Sequence, residues 1–66
     1  MKTKKGMFDW LTQVCVNPYV GDYTPTERAF MALDTAQAWR SNEVNVLFGG
    51  ADKLFDKLLA YYEERA

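Results

Sequence analysis

The sequence predicts an all-α fold, and three stretches carry that prediction. Near the start, Met7, Trp10, Leu11 and Val14 follow the i, i+3, i+4, i+7 spacing of a helix with one apolar face. At the centre, TPTE (24–27) sets Thr24 as an N-cap, Pro25 at the first helical position and Glu27 three residues after the cap, the pattern of a capping box. At the end, Leu54, Phe55, Leu58, Leu59, Tyr61 and Tyr62 recur at helical spacing, with Asp52, Lys53, Asp56, Lys57, Glu63 and Glu64 filling much of the opposite face.

The first helix is expected from about Met7 to Val16, with Phe8 and Cys15 widening its apolar face. Asn17-Pro18 ends it, because proline pushes the residue before it out of the helical region and has no N–H to donate. NPYVGDY then reads as a connecting loop in which Gly21 can supply a positive-φ turn, with Tyr19, Val20 and Tyr23 folding back on the core. The second helix runs from Pro25 to about Arg40; its Thr24 cap satisfies a backbone N–H that the helix leaves unpaired, and losing that cap costs about 1 kcal/mol. The Tyr23 ring precedes the cap and can reach Arg28 or Ala29. Phe30, Leu33, Gln37 and Arg40 mark one side of this helix and Ala29, Ala32, Ala36 and Trp39 another, the alanines allowing a neighbouring helix to approach closely.

SNEVNVLF supports two readings. Ser41 or Asn42 can cap a short helix, whereas Val44, Val46 and Phe48 alternate as in a strand. The short helix is preferred, because a lone strand leaves its backbone groups unpaired; the alternative is a small hairpin with VCVNPYV. Gly49-Gly50 reads as a hinge, with Gly49 ending one helix in the left-handed conformation and Gly50 freeing the next to start at a sharp angle. A phosphate-cradling loop is the rival, but it lacks the lysine-containing spacing of that motif, and Asp52 would repel the anion. The last helix follows from about Ala51. The expected whole is a bundle of four helices packed around Trp10, Leu11, Val14, Phe30, Leu33, Trp39, Leu47, Leu54, Phe55, Leu58 and Leu59.

Composition bounds the function. Sixty-six residues make one domain, read as residues 7–66 behind a flexible basic arm at 1–6 that carries Lys2, Lys4 and Lys5. Folding at this size removes only about 60% of the exposed surface, so the 15% of aromatic residues matters to stability. Cys15 stands alone and histidine is absent, which rules out an intrachain disulfide, a thiolate metal cluster and a Ser-His-Asp or Cys-His arrangement; Cys15 is expected in or near the core. The N-terminal pattern is not that of a signal peptide and no apolar run spans a bilayer, so a soluble, cytoplasmic protein that does not engage membranes is expected. A net charge of −1 suits neither a dedicated phosphate-backbone binder nor an acidic nucleic-acid mimic.

The carboxylates sit mainly on polar helix faces or caps, and Asp52 and Asp56, one turn apart, read as solvated surface charge. No enzyme activity and no cofactor or metal is expected. Recognition through a surface remains, and the aromatic surplus is its handle: Trp10, Trp39, Tyr61, Tyr62 and Arg65 are the candidate contacts with another protein. Adjacent Tyr61 and Tyr62 cannot both face the interior, since consecutive helical residues point about 100° apart. The expected function is a small protein-binding accessory or regulator, of the kind phages and mobile elements encode. The alternative is a nucleic-acid-binding helical module using Lys2, Lys4, Lys5, Arg28 and Arg40, and a homodimer paired through the last helices is a third possibility.

MFDWLTQ near the start, VGD in the following loop and LFDKLLAYYEE at the close resemble the YozE SAM-like family, small helical proteins of Gram-positive bacteria and their phages. The likeness covers both ends of the chain, and TPTERAFMALDTAQAWRSNE departs from the family's acidic central segment. The resemblance implies a compact bundle of four or five short helices, like a sterile-alpha-motif or helix-turn-helix unit. It carries over no catalytic residue.

Overall fold

The computed structural model describes residues 3–15 and 21–65, and every regular element among them is helical. Lys2, the Asn17-Pro18 stop, the packing expected of Tyr19 and Val20, and the side chain of Cys15 lie outside the described set. Three α-helices, α1 (Lys4–Asp9), α2 (Pro25–Glu43) and α3 (Ala51–Glu64), are accompanied by two π-helical segments, Trp10–Cys15 continuing α1 and Val44–Phe48 continuing α2. The described residues thus form three α-helices rather than four or five. The short helix expected over 42–48 is not a separate α-helix, but the stretch is helical throughout: a kink at Arg40, about where the second helix is expected to end, sets it off from the rest of α2, and Val44–Phe48 is π-helical. This stretch is helical, and the strand reading is set aside.

Helix α1 begins three residues before its apolar stripe. Thr3 is extended (φ −115°, ψ 154°), and its hydroxyl accepts a hydrogen bond from the Gly6 N–H at 3.0 Å, so the cap sets the start at Lys4. Met7 and Leu11 are fully buried, as their spacing predicts. Val14 is not: it is 59% exposed. A π-helical segment closes i→i+5 hydrogen bonds and spends an extra residue per turn, so a residue one α-turn beyond Leu11 is rotated out of the stripe. Thr12 is buried in this segment, and its hydroxyl donates to the Phe8 carbonyl at 2.8 Å, which satisfies the polar atom without a tertiary partner.

Helix α2 carries the capping box in full. The Glu27 N–H donates to Thr24 Oγ1 at 3.1 Å, and the Thr24 N–H donates to Glu27 Oε1 at 2.8 Å. Its buried face is the alanine stripe: Ala29, Ala32 and Ala36 have no exposed surface. This corrects two core assignments, because Phe30 is 52% exposed and Trp39 is 72% exposed. Helices approach most closely where side chains are smallest, so α2 turns its methyl groups inward and its large rings to the flanks. Tyr23, expected against the core, is also exposed, and the Arg28 guanidinium lies 5.7 Å from its ring centre.

Helix α2 kinks at Arg40, whose backbone is non-helical (φ −141°, ψ 38°). A straight helix would direct Val44 about 80° away from Ala36, since eight residues at about 100° each overshoot two full turns by that angle. The kink and the following π-helical turn bring Val44 and Phe48 into the core instead. Gly49 then closes the turn in the left-handed conformation (φ 83°), its N–H donating to the Asn45 carbonyl at 3.2 Å, and Gly50 (φ 127°) caps the start of α3. The hinge reading of Gly49-Gly50 therefore holds.

Helix α3 lays Leu54, Leu58 and Tyr62 along α2, and this is the largest helix–helix interface of the fold. Trp10, Leu33, Leu47, Phe55 and Leu59 pack around the core without being enclosed by it. The radius of gyration is 10.8 Å, about the value that compact-chain scaling gives for this length.

Candidate functional site

The candidate contact residues fall into separate environments. Tyr61, Tyr62 and Arg65 are brought together at the end of α3. The Arg65 guanidinium stacks 3.6 Å from the Tyr61 ring centre while its Nη1 donates to the Tyr61 carbonyl at 3.1 Å. Phe8 of α1 meets Tyr61 edge-on at 5.4 Å, and the Lys57 ammonium lies 5.6 Å from the Phe8 ring centre. Lys57, Tyr61 and Arg65 are spaced i, i+4, i+8, so α3 presents a column in which cations flank two aromatic rings. Gln13 Nε2 donates to the Tyr61 hydroxyl at 2.9 Å and ties the first π-helical segment to this column.

Tyr62 is the inward member of the tyrosine pair, with 9% of its surface exposed and its ring edge-on to Tyr61 at 5.0 Å. Its hydroxyl is buried with no hydrogen-bond partner among the described residues. Burial pushes its phenol up to about 12, the neighbouring Tyr61 adds to the rise, and Arg28 opposes it. A residue so enclosed belongs to the core rather than to a contact surface.

The two tryptophans part company. Trp10 is half-buried, and the Arg40 guanidinium sits 5.4 Å from its ring centre. Arg40 Nε also lies 3.8 Å from Glu43 Oε1, an ion pair too long to be a hydrogen bond. Trp39 projects from α2 into solvent, and Val46, beyond the kink, is 81% exposed.

The described basic residues of the nucleic-acid reading have local partners or stand apart along α2. Lys5 is bound to Asp9 at 2.7 Å. Arg28 Nη2 donates to the Gly21 carbonyl at 3.2 Å. Arg28 and Arg40 stand twelve positions apart, about 18 Å along α2. Lys4 is exposed at the start of α1.

One feature escaped sequence reasoning. Phe30 and Phe55 pack ring to ring at 4.7 Å between α2 and α3, and Leu33 and Leu59, one turn further along each helix, are partly buried against the core. The signal was present: Phe30 is offset by about 100° from Ala29, and a helix that buries alanines cannot also bury its flanking phenylalanine.

Among the described residues no three His, Cys, Asp or Glu side chains converge in a way that could hold a metal ion, and no helix is long and apolar enough to cross a membrane. No protein-family model, curated protein or solved structure matches this chain.

Proposed function

We propose that this protein is a small non-enzymatic protein-binding module, an accessory or regulator that acts through an aromatic-bearing surface. The observation that carries the reading is Trp39, 72% exposed in a domain that needs its aromatic side chains for stability. Leaving a tryptophan in water forgoes burial worth about 2 kcal/mol or more, and the chain does so while alanines occupy the adjacent buried face. Trp39, Tyr61 and Arg65 remain the contact candidates, with Trp10 half-buried and Tyr62 assigned to the core. The nucleic-acid alternative has less support, because Lys5 is paired with Asp9 and the Arg28 guanidinium is engaged by the Gly21 carbonyl. A YozE SAM-like relationship is compatible with the helical fold and adds no residue role.

The test is affinity capture from cell lysate with the wild-type chain and with Trp39→Gln, an exposed substitution that leaves the fold intact. A discrete protein retained by the wild type and lost from the variant supports the reading; identical captures overturn it.

A further inference from the structure

We infer that the seam between α2 and α3 around Phe30 and Phe55 is a docking site for a cationic amphipathic helix of another protein. The inference rests on the protein-binding reading above but uses a different face from Trp39. Phe30 is half-exposed, and it forms an apolar strip with Leu33, Phe55 and Leu59. Both banks of that strip are acidic. Along α2, Glu27 and Asp34 lie three residues before and four residues after Phe30; along α3, Asp52 lies three before Phe55, Asp56 one turn beyond Asp52, and Glu63 four after Leu59. All five carboxylates are exposed.

The cations of the two helices are turned elsewhere. Lys57 lies over Phe8, Arg65 over Tyr61, Arg40 against Trp10 and Arg28 against Gly21 and Tyr23, and the Lys53 stem runs beside Gly49. Within α2 and α3 the strip therefore has carboxylate rims and no basic counterpart, although the chain as a whole is nearly neutral.

That arrangement selects the occupant. A second copy docked on the same face would set five carboxylates against five, and like-charge juxtaposition costs several kcal/mol. An anionic lipid surface or a nucleic-acid backbone is repelled for the same reason. A helix with an apolar stripe flanked by Lys or Arg satisfies both features at once: aromatic and aliphatic anchors fill the seam, and basic flanks meet the rims.

The experiment uses the full chain and a dye-labelled synthetic peptide of about 18 residues, five helical turns, with a Leu/Phe stripe flanked by Lys and Arg, against the same peptide with Glu at every basic position. Anisotropy titration should give micromolar binding of the cationic peptide that weakens with salt. It should weaken about tenfold or more with Phe30→Gln, and likewise with the double replacement Asp34→Lys and Asp56→Lys, while Trp39→Gln leaves it unchanged. All these positions are exposed, and circular dichroism verifies that each variant is folded. Three outcomes overturn the inference: equal binding of the acidic peptide, no binding of the cationic peptide up to about 100 µM, or affinity within about twofold of wild type in the charge-reversed variant. Self-association in sedimentation velocity that Phe30→Gln abolishes also overturns it, in favour of a second copy. If lysate capture depends on Trp39 while the peptide fails to bind, the seam inference falls and the protein-binding reading stands.

Discussion

Replacing Tyr62 by phenylalanine should stabilise this protein, against the usual expectation that altering a buried aromatic is harmful. The hydroxyl is buried and makes no hydrogen bond among the described residues, so folding strips it of water without a replacement partner there. An unsatisfied buried polar group costs about 1–3 kcal/mol, and Tyr62→Phe removes that cost while keeping the ring and its edge-on contact with Tyr61. We expect a gain of about 1 kcal/mol near neutral pH, which for a chain of this size raises Tm by about 4–8 °C. The difference should then widen in alkali. The phenol has its ordinary value of 10.0 in the unfolded chain and is pushed up to about 12 in the folded one, chiefly by desolvation. Below the unfolded value both states hold the proton and the group's contribution is fully present. As pH rises through the folded value, the unfolded chain releases a proton that the folded chain retains, and stability is lost. The loss amounts to about 1.4 kcal/mol by about pH 11, and the phenylalanine variant escapes it. Urea unfolding followed by helical ellipticity, on both proteins near pH 8 and near pH 11, measures the two differences with all other tyrosines and lysines cancelling. A variant less stable than wild type at neutral pH, or a gap that does not grow with pH, refutes the reasoning.

Two other substitutions examine what holds the helices together. Ala32→Leu forces three extra carbons into the fully buried contact face of α2 and should cost about 1–3 kcal/mol or more by the same unfolding assay, whereas a face with room to spare would tolerate it. Gly49→Ala places a Cβ where space exists, its nearest neighbour being Lys53 Cδ at 3.5 Å, so the roughly 1 kcal/mol loss expected in thermal denaturation comes from the backbone at φ 83° alone; an unchanged Tm would show that the turn relaxes.

Much of the fold is legible in the sequence where local chemistry dictates it. The capping box at Thr24, the left-handed glycine at 49 and the amphipathic stripe of α3 depend only on residues within a turn of one another, and each forms as its residue types require. Burial is less legible where it depends on distant elements: Phe30 and Trp39 are large and apolar, but which face of α2 is buried depends on how close its neighbours come, and Val14 leaves its stripe because the helix turns π-helical after α1. The early start of α1 is carried by Thr3, a competent cap that lies outside the apolar periodicity of Met7 to Val14. The candidate contact residues fared similarly. The identity of the aromatics is plain in the sequence, whereas their division into an enclosed Tyr62, a stacked Tyr61 and an exposed Trp39 is not.

By itself, then, the sequence determined that this chain is helical and where its helices are capped and turned, because caps, glycine turns and amphipathic spacing are settled by interactions spanning four or five residues. Tertiary structure alone decided that α2 buries alanines and shows its rings, and that Phe30 meets Phe55 across the seam with α3. Those outcomes depend on the distance and angle between helices far apart in sequence, and interhelical distance is set by the smallest side chains that can meet, a property of pairs of faces that neither helix carries alone.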